Sequence, residues 1–408
     1  MNFDDTPEEA EFRASVRRWL EDNAEPGAGR DPAQRYLSDA FSADEAEHIR
    51  ASKAWQRKLY DAGWAGITWQ AEYGGRGGTT LQQMIFSEEE ARVGKYSTFY
   101  AVGIGMIGPT LMAHGTQAQK DRHLGPVLRG DEVWCQLFSE PAAGSDLAGV
   151  QTRAVRTGDE YVVSGQKVWT SGAHYCDYAA LLARTDPDQP KHKGLTYFIL
   201  DLRAPGIDIR PLRQMTGAAH FNEVFLDEVR IPAASIVGGV NDGWRVALTT
   251  LTNERSQIGG GGGRGDDFSH VRELARERGR TTDPVIRQRL AAIYTQMKVI
   301  SFLGLRMRTR ASQGTQPGPE SALMKIARSR GQTMVANLAL DLEGASGMLA
   351  DGTRGETGWS EFFLGHFSVR LGGGTDQIMQ NVIGERILGL PADLRIDKDV
   401  PYREIRRN

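Results

Sequence analysis

Residues 242–258, DGWRVALTTLTNERSQI, carry the most suggestive chemistry in the chain. Trp244, Ala247, Leu248, Leu251 and Ile258 recur at helical spacing and mark a buried face, with Asn241 and Asp242 as N-cap candidates. Glu254 falls on that face, seven residues after Ala247 and three after Leu251. A carboxylate on an apolar face has to be paired, protonated or used. These residues alone leave two readings, a general base facing a ligand cavity or one half of an internal ion pair. GGGGGRG follows at 259–265. Each glycine inside a helix costs about 1 kcal/mol relative to alanine, so five in a row suit a place where side chains would obstruct something. A second stretch, RLGGGTDQIMQ at 370–380, offers the free N–H groups of Gly372, Gly373, Gly374 and Thr375 at a helix N-terminus, suited to an anion or a carbonyl oxygen. It is not a dinucleotide fingerprint, because no strand precedes it and the spacing is wrong.

The chain must be large enough to position such groups. At 408 residues it has room for two or three domains. It is 40% hydrophobic and 25% charged, the composition of a soluble globular protein. A net charge of −3, from 49 basic and 52 acidic residues, gives no electrostatic case for nucleic acid or an anionic membrane. Cys135 and Cys176 are too few for a disulfide framework or a zinc site, and a reducing cytoplasm fits. The eight histidines are scattered with none paired at i, i+4, so no metal site is expected. The acidic N-terminus lacks a signal-peptide core. The longest near-apolar run, Phe99 to Ala113, is shorter than the ~20 residues of a membrane span and is expected to be a buried helix.

Periodicity divides the chain in three. Residues 1–134 are helical by pattern, with a Ser42–Glu45 capping box, a helix running to Gly63 and another over 81–94. Residues 135–238 change period. QTRAVRTGDEYVVSGQKVWTSG predicts strand, tight turn at Gly158-Asp159, and strand again, and YAALLART, GLTYFILDL, IDIRPLRQM and EVFLDEVRIP continue to Pro232. A compact antiparallel sheet or barrel is expected, not a Rossmann unit, since βαβ alternation is missing. Residues 239–408 return to helix, over 242–258, 266–278, 284–312, 319–344 and 375–388, and predict a bundle. The fold class is α+β, mainly α: an N-terminal helical domain, a small central antiparallel β domain and a C-terminal helical bundle.

This layout resembles the acyl-CoA dehydrogenase family over essentially the whole chain. The words that carry the resemblance are EYGG (72–75), AHGT-x-x-Q-K (113–120), FSEPAAGSD (138–146), GQKVWTSG (165–172) and GTDQI (374–378). Family members hold FAD between the β domain and the bundle, and remove hydrogen from Cα and Cβ of an acyl-CoA thioester. The resemblance therefore implies FAD contacts at Phe138, Ser139, Gly144, Ser145, Trp169, Thr170, Ser171, Gln288, Thr375 and Gln377. It implies substrate contacts at Ser145, Arg255 and Gly373. Singly, the serines would suit turns and Trp169 plain core packing. The resemblance further implies an electron-transfer flavoprotein or similar acceptor, and a homotetramer or α2β2 heterotetramer.

One departure is informative. Many members carry the catalytic glutamate directly before the Gly-Thr, where this chain has Gly373. A minority branch, including the isovaleryl and long-chain enzymes, puts it on the earlier helix in a Glu-Arg pair, and Asn253-Glu254-Arg255 stands there. The resemblance thus makes Glu254 the base that takes the α-proton, with the Gly373 N–H on the thioester oxygen. Other departures touch the adenine half of the cofactor site. The Arg-x-x-Phe-Gly word is absent near 276–288, leaving Arg276 or Arg278 to supply the charge, and Asp341 stands where glutamine is frequent. The glycine run predicts a roomy acyl pocket for a branched, cyclic or long acyl group, steroid-like ones included. Two competing readings are a flavin oxidase or monooxygenase on the same fold, which slow reoxidation in air would exclude, and a non-catalytic subunit of a heteromeric dehydrogenase, which flavin and turnover in the isolated chain would exclude.

Overall fold

The structure, a computed structural model, describes residues 5–24, 45–93, 99–260, 267–313, 318–349, 358–394 and 396–405. In chain order the helices α1 (Pro7–Asn23), α2 (Glu45–Asp61), α3 (Thr80–Val93), α4 (Gly108–His114) and α5 (Gln117–Arg129) come first. Strands β1 (Trp134–Leu137), β2 (Arg153–Thr157), β3 (Glu160–Ser171), β4 (Tyr178–Arg184), β5 (Leu195–Asp201), β6 (Ile207–Leu212), β7 (Phe221–Pro232) and β8 (Ile236–Val237) follow. Helices α6 (Gly243–Gly260), α7 (Asp267–Glu277), α8 (Pro284–Ser312), α9 (Ser321–Glu343), α10 (Trp359–Gly365), α11 (Phe367–Leu371) and α12 (Asp376–Arg386) complete the chain. The expected helices, sheet and bundle are present. The Ser42–Glu45 capping box lies outside the described residues.

The elements divide into two compact units. One comprises residues 1–42, 78–96 and 258–391, the other 43–77, 97–257 and 392–408. In the first, α1 opens with a capping box. Glu9 N–H donates to Thr6 Oγ1 at 3.3 Å and Thr6 N–H to Glu9 Oε2 at 3.0 Å, so two orphan donors are satisfied reciprocally. Buried Glu89 of α3 takes Arg13 and Arg17 of α1 at 3.0 and 2.8 Å, which pins the two helices. Val335, Ala336, Leu338, Ala339 and Leu342 give α9 an apolar face against Val271 and Leu274 of α7, Ile286 and Ile293 of α8 and Trp359 and Phe362 of α10.

In the second unit the sheet runs β6-β7-β3-β2-β4-β5-β8, with β1 beside β4. Most pairings are antiparallel, and Gly158-Asp159 makes the predicted β2–β3 turn. Within this mainly antiparallel sheet two contacts run parallel: β1 pairs β4 from Trp134↔Tyr178 to Leu137↔Leu181, and β2 meets β4 at Arg153↔Arg184. Parallel neighbours need a crossover, and the β2–β3 hairpin occupies the connection. The Phe99–Ala113 run also differs from a plain α-helix. Gly103–Ile107 is a π-helix, and Gly108 N–H donates to Gly103 O. Pro109 has no N–H to donate back into the ladder. Trp69 fills the space above, its Nε1 donating to Ile104 O at 3.2 Å, and a Cβ on Gly108 would lie 2.0 Å from the indole.

Candidate active site

The second unit joins the two turn-rich words through a buried charge pair. Phe138 and Ser139 continue from β1, and GQKVWTSG is the end of β3. Lys167 is fully enclosed, and its ammonium donates to Phe138 O at 3.0 Å, Glu140 Oε1 at 2.8 Å and Leu182 O at 2.8 Å. Val168 N–H donates to Ser139 O at 2.9 Å. The β3–β7 register then slips between Lys167 and Thr170, and Trp169 adopts φ +60 inside this bulge. A bulge re-aims a side chain out of the ladder. Trp169 is accordingly 60% exposed, with its ring edge-on to Phe221 at 6.0 Å. A tryptophan presented this way is not filling a core. Thr170 returns inward, and its Oγ1 is buried without a hydrogen-bond partner among the described residues, as is Oε1 of Gln136 on β1. Ser171, Gly144 and Ser145 are exposed, and Ser139 is half-buried.

Glu254 sits in the same unit, on α6. The buried face of α6 differs from the sequence expectation. Gly243, Val246, Ala247 and Thr250 are enclosed, whereas Leu248 is 41% exposed and Trp244 and Leu251 are half-buried. The reason is the closeness of α6 to β5, since a Cβ on Gly243 would lie 2.6 Å from the Thr196 backbone. Small residues therefore occupy the contact, and Leu248 turns to the opposite side. Asn241 is not the N-cap. It adopts φ +66 and ties to β5 instead, its N–H donating to Thr196 Oγ1 at 2.9 Å. Asp242 O accepts from Arg245 and Val246 N–H. Farther along, Thr250 Oγ1 lies 3.1 Å from the Tyr197 hydroxyl and 3.0 Å from Thr110 Oγ1. Burial pushes the Tyr197 phenol well above its ordinary pKa, so it stays neutral. Tyr197 also packs edge-on to Phe138 at 5.9 Å between centroids. Glu254, half-buried, continues the line Gly243–Ala247–Thr250 at i+11, i+7 and i+4. The side chain of Arg255 and all of Gly261–Gly263 lie outside the described residues.

The first unit holds the remaining predicted residues. Gly373 and Gly374 adopt φ +65 and +88, and Thr375 then caps α12 by accepting from Ile378 N–H at 3.2 Å. Below this turn, buried Asp376 takes Lys325 at 2.8 Å, Ser329 at 2.9 Å and Arg370 at 3.2 Å. Burial opposes its ionisation, but these partners outweigh that and hold its carboxyl below the usual range. Gln377 and Gln288 are exposed. Arg276 pairs with Glu273 at 3.0 Å and Arg278 with Glu343, while Asp341 pairs with Arg289 at 2.5 Å. Reading the words for ligand contacts passed over Lys167, Glu140, Gln136, Lys325 and Asp376. For Lys167, Glu140 and Asp376 the signal was a lysine or acid inside one of the words, whereas Gln136 and Lys325 lie outside the words.

Comparison with known proteins gives the family. The descriptions acyl-CoA dehydrogenase N-terminal, middle and C-terminal domain match residues 6–131, 135–229 and 241–388. Acyl-CoA dehydrogenase IpdE1 of Mycobacterium tuberculosis is 40% identical over 389 residues, covering 94% of this chain and 98% of that protein. Acyl-CoA dehydrogenase FadE34 of the same organism is 40% identical over 336 residues, covering 82% of this chain and 46% of its own length. A solved Tcur3481-Tcur3483 steroid acyl-CoA dehydrogenase (TM-score 0.80, 28% identity) covers 96% of this chain and 100% of that one. The ChsE4-ChsE5 complex from Mycobacterium tuberculosis (TM-score 0.77, 28% identity) has the same coverage. The chain therefore belongs to the acyl-CoA dehydrogenase family, as an oxidoreductase acting on acyl-CoA.

Proposed function

We propose that this protein oxidises the Cα–Cβ bond of a bulky acyl-CoA thioester to the trans-2-enoyl-CoA, with Glu254 as the base and FAD as the cofactor. The observation that carries the reading is Glu254 at the end of a buried small-residue line on α6, combined with glycine at 373. The α-proton of a thioester is weakly acidic, so removing it needs a positioned carboxylate and donors to the carbonyl oxygen. Glu254 takes that proton. The N–H groups of the Gly372–Thr375 turn are the candidate donors. When bound, the flavin supplies the acceptor for the β-hydride.

The residues present fit such a group. An isoalloxazine is flat with a polar edge that both donates and accepts. Trp169 offers a flat exposed face, the buried Thr170 hydroxyl an unused donor, and Gln136 Oε1 an unused acceptor. Ser139, Ser171, Phe138, Gly144 and Ser145 surround these positions in the sequence words. Arg276 and Arg278 are both committed to carboxylates. Charge for the FAD pyrophosphate then comes from a neighbouring subunit, in a homotetramer or an α2β2 assembly. Val285 and Phe302 of α8, 64% and 63% exposed, are apolar surface in keeping with such neighbours. The steroid description of a 28% identical solved relative supports a steroid-like or similarly bulky acyl group. An electron-transfer flavoprotein is the proposed acceptor, and the cytoplasm the proposed compartment. No helix among the described residues is long and apolar enough to cross a membrane.

The test is Glu254→Gln, which keeps shape and hydrogen bonding and removes the base. With a panel of acyl-CoAs under anaerobic conditions, flavin bleaching should slow by about 10²–10⁴-fold while the protein stays folded and yellow. Near-normal bleaching would return Glu254 to an ion-pair role. Rapid reoxidation of the parent in air would favour an oxidase.

A further inference from the structure

Residues 397–405 are built into the loop that carries Gly144 and Ser145. Tyr402 donates its hydroxyl to Gly149 O at 2.9 Å, its ring lies 3.4 Å from the Arg184 guanidinium, and it is itself buried. Arg184, 4% exposed, donates to Ala148 O at 2.6 Å, Val150 O at 3.1 Å and Lys191 O at 3.3 Å. Lys191 bridges the two segments, with Nζ 2.9 Å from Asp146 and 2.7 Å from Asp397. Backbone bonds seal the seam. Tyr402 N–H donates to Gln189 O at 2.9 Å and Arg403 N–H to Pro187 O at 3.0 Å. One side of the 140–149 loop is fixed by the Glu140–Lys167 pair. Its far side is fixed by Arg184, Lys191 and residues 397–405, with the exposed Gly144 and Ser145 between the two anchors.

We propose that residues 397–405 are a positioning clamp for the Gly144–Ser145 segment, with Tyr402 and Lys191 as positioning residues for acyl-CoA and flavin binding. The proposal rests on the reading of Ser145 as a ligand-side residue. Two features argue for positioning beyond plain packing. Tyr402 spends its one hydroxyl proton on a loop carbonyl three residues beyond Asp146, and Lys191 pairs with an acid from each side of the seam. Burial works against the Lys191 ammonium, but Asp397 and Asp146 outweigh it and raise its pKa. The bridge is therefore charged throughout the neutral range. A loop anchored at both ends presents its middle in one conformation, and such pre-ordering lowers the entropic cost of binding.

The experiment uses the full-length, flavin-loaded protein as Tyr402→Phe, Lys191→Met, Lys191→Arg and a truncation after Ile396. Two readouts are taken: hydrogen exchange of peptides within 141–149, and KM and kcat for the best acyl-CoA of the panel. Tyr402→Phe and Lys191→Met should speed exchange in 141–149 alone and raise KM about tenfold, with kcat within about twofold, the pattern of lost binding-geometry contacts. Lys191→Arg should restore both. The truncation should exceed either single variant. Unchanged exchange in 141–149, or exchange rising equally across β3, β4 and β5, overturns the clamp. If the parent turns over no acyl-CoA, the proposed function fails, while the exchange readout still judges the clamp.

Discussion

Replacing Lys167 with methionine removes one half of a charge pair that the fold encloses completely. The ammonium spends all three protons, on Glu140 Oε1, Phe138 O and Leu182 O at 2.8, 3.0 and 2.8 Å. Glu140, 6% exposed, also accepts from Gln151 and Thr152 N–H at 2.6 and 2.9 Å. Burial alone would raise the Glu140 pKa. Lys167, Thr152 and Gln151 outweigh it and hold the carboxyl below its ordinary value. Taking away one partner strands the other charge, at about 3–5 kcal/mol. Lys167→Met and Glu140→Gln should each lose stability of that order. The double variant should lose less than the sum, because neither charge is then left alone. A group with a depressed folded pKa gives stability that is fully present above its unfolded pKa and is lost as pH falls through the folded value. Glu140→Gln should therefore flatten the acid limb of the stability profile. Urea midpoints across pH 3–8, about the window of a carboxylate, measure this, and bound-flavin absorbance is read beside them. The flavin should stay loosened in the double variant even where stability returns, since Phe138 and the Trp169 bulge have lost their common anchor. A Lys167→Met protein with the parent's midpoint and acid limb would refute the reasoning.

The remaining predictions concern the helix ends and the α6–β5 contact. Gly243→Ala should destabilise by about 1–3 kcal/mol in urea titrations, because its Cβ would sit 2.6 Å from the Thr196 backbone and α6 has to back away. Thr250→Val strips a hydroxyl from Tyr197 and Thr110 and should cost about 1–3 kcal/mol, with Tyr197→Phe on that background recovering part of the loss, since no buried phenol then lacks a partner. Thr375→Ala should cost about 1 kcal/mol of stability by removing the acceptor for Ile378 N–H, read as a lower urea midpoint.

Long helices were the most legible part of the chain. The ranges 284–312 and 319–344 predict α8 and α9 nearly to the residue, because both have apolar spacing and clear stops. The β2–β3 turn was legible for a similar local reason, a glycine able to take positive φ between two alternating runs. What depends on contact between distant segments was not legible. The spacing on α6 put Leu248 inward, yet the backbone of β5 comes so close at Gly243 that small residues take that side. Apolar period alone cannot tell a bulky contact from a close one. Asn241 looked like an N-cap because asparagine often is one, but Thr196 lies 45 residues away and claims its N–H. The π-helix at Gly103–Ile107 also takes a hydrogen bond from Trp69 Nε1 on Ile104 O, a partner that no local window contains. Among candidate site residues, the words name Trp169 and Thr170 by resemblance, while the bulge that exposes one and buries the other follows from pairing with β7.

The proposed position of the base is favoured by backbone as much as by side chains. Gly373 sits at φ +65 and is followed by Gly374 at φ +88. An L-residue in the left-handed region is strained by roughly 1–2 kcal/mol, so a glutamate at 373 would carry that strain in a turn already fixed by Lys325, Arg370 and Asp376. Position 254 has no such penalty. It lies in ordinary helix, and α6 is tied to β5 through Asn241, Gly243 and Thr250, with Tyr197 reaching on to Phe138 at the edge of the flavin words. A proton-abstracting carboxylate needs a rigid support, because small displacements at the reacting atoms are costly in rate. The same contacts that exclude Leu248 from the buried face would provide that support, which is the physical ground for proposing the base on α6 rather than in the glycine turn.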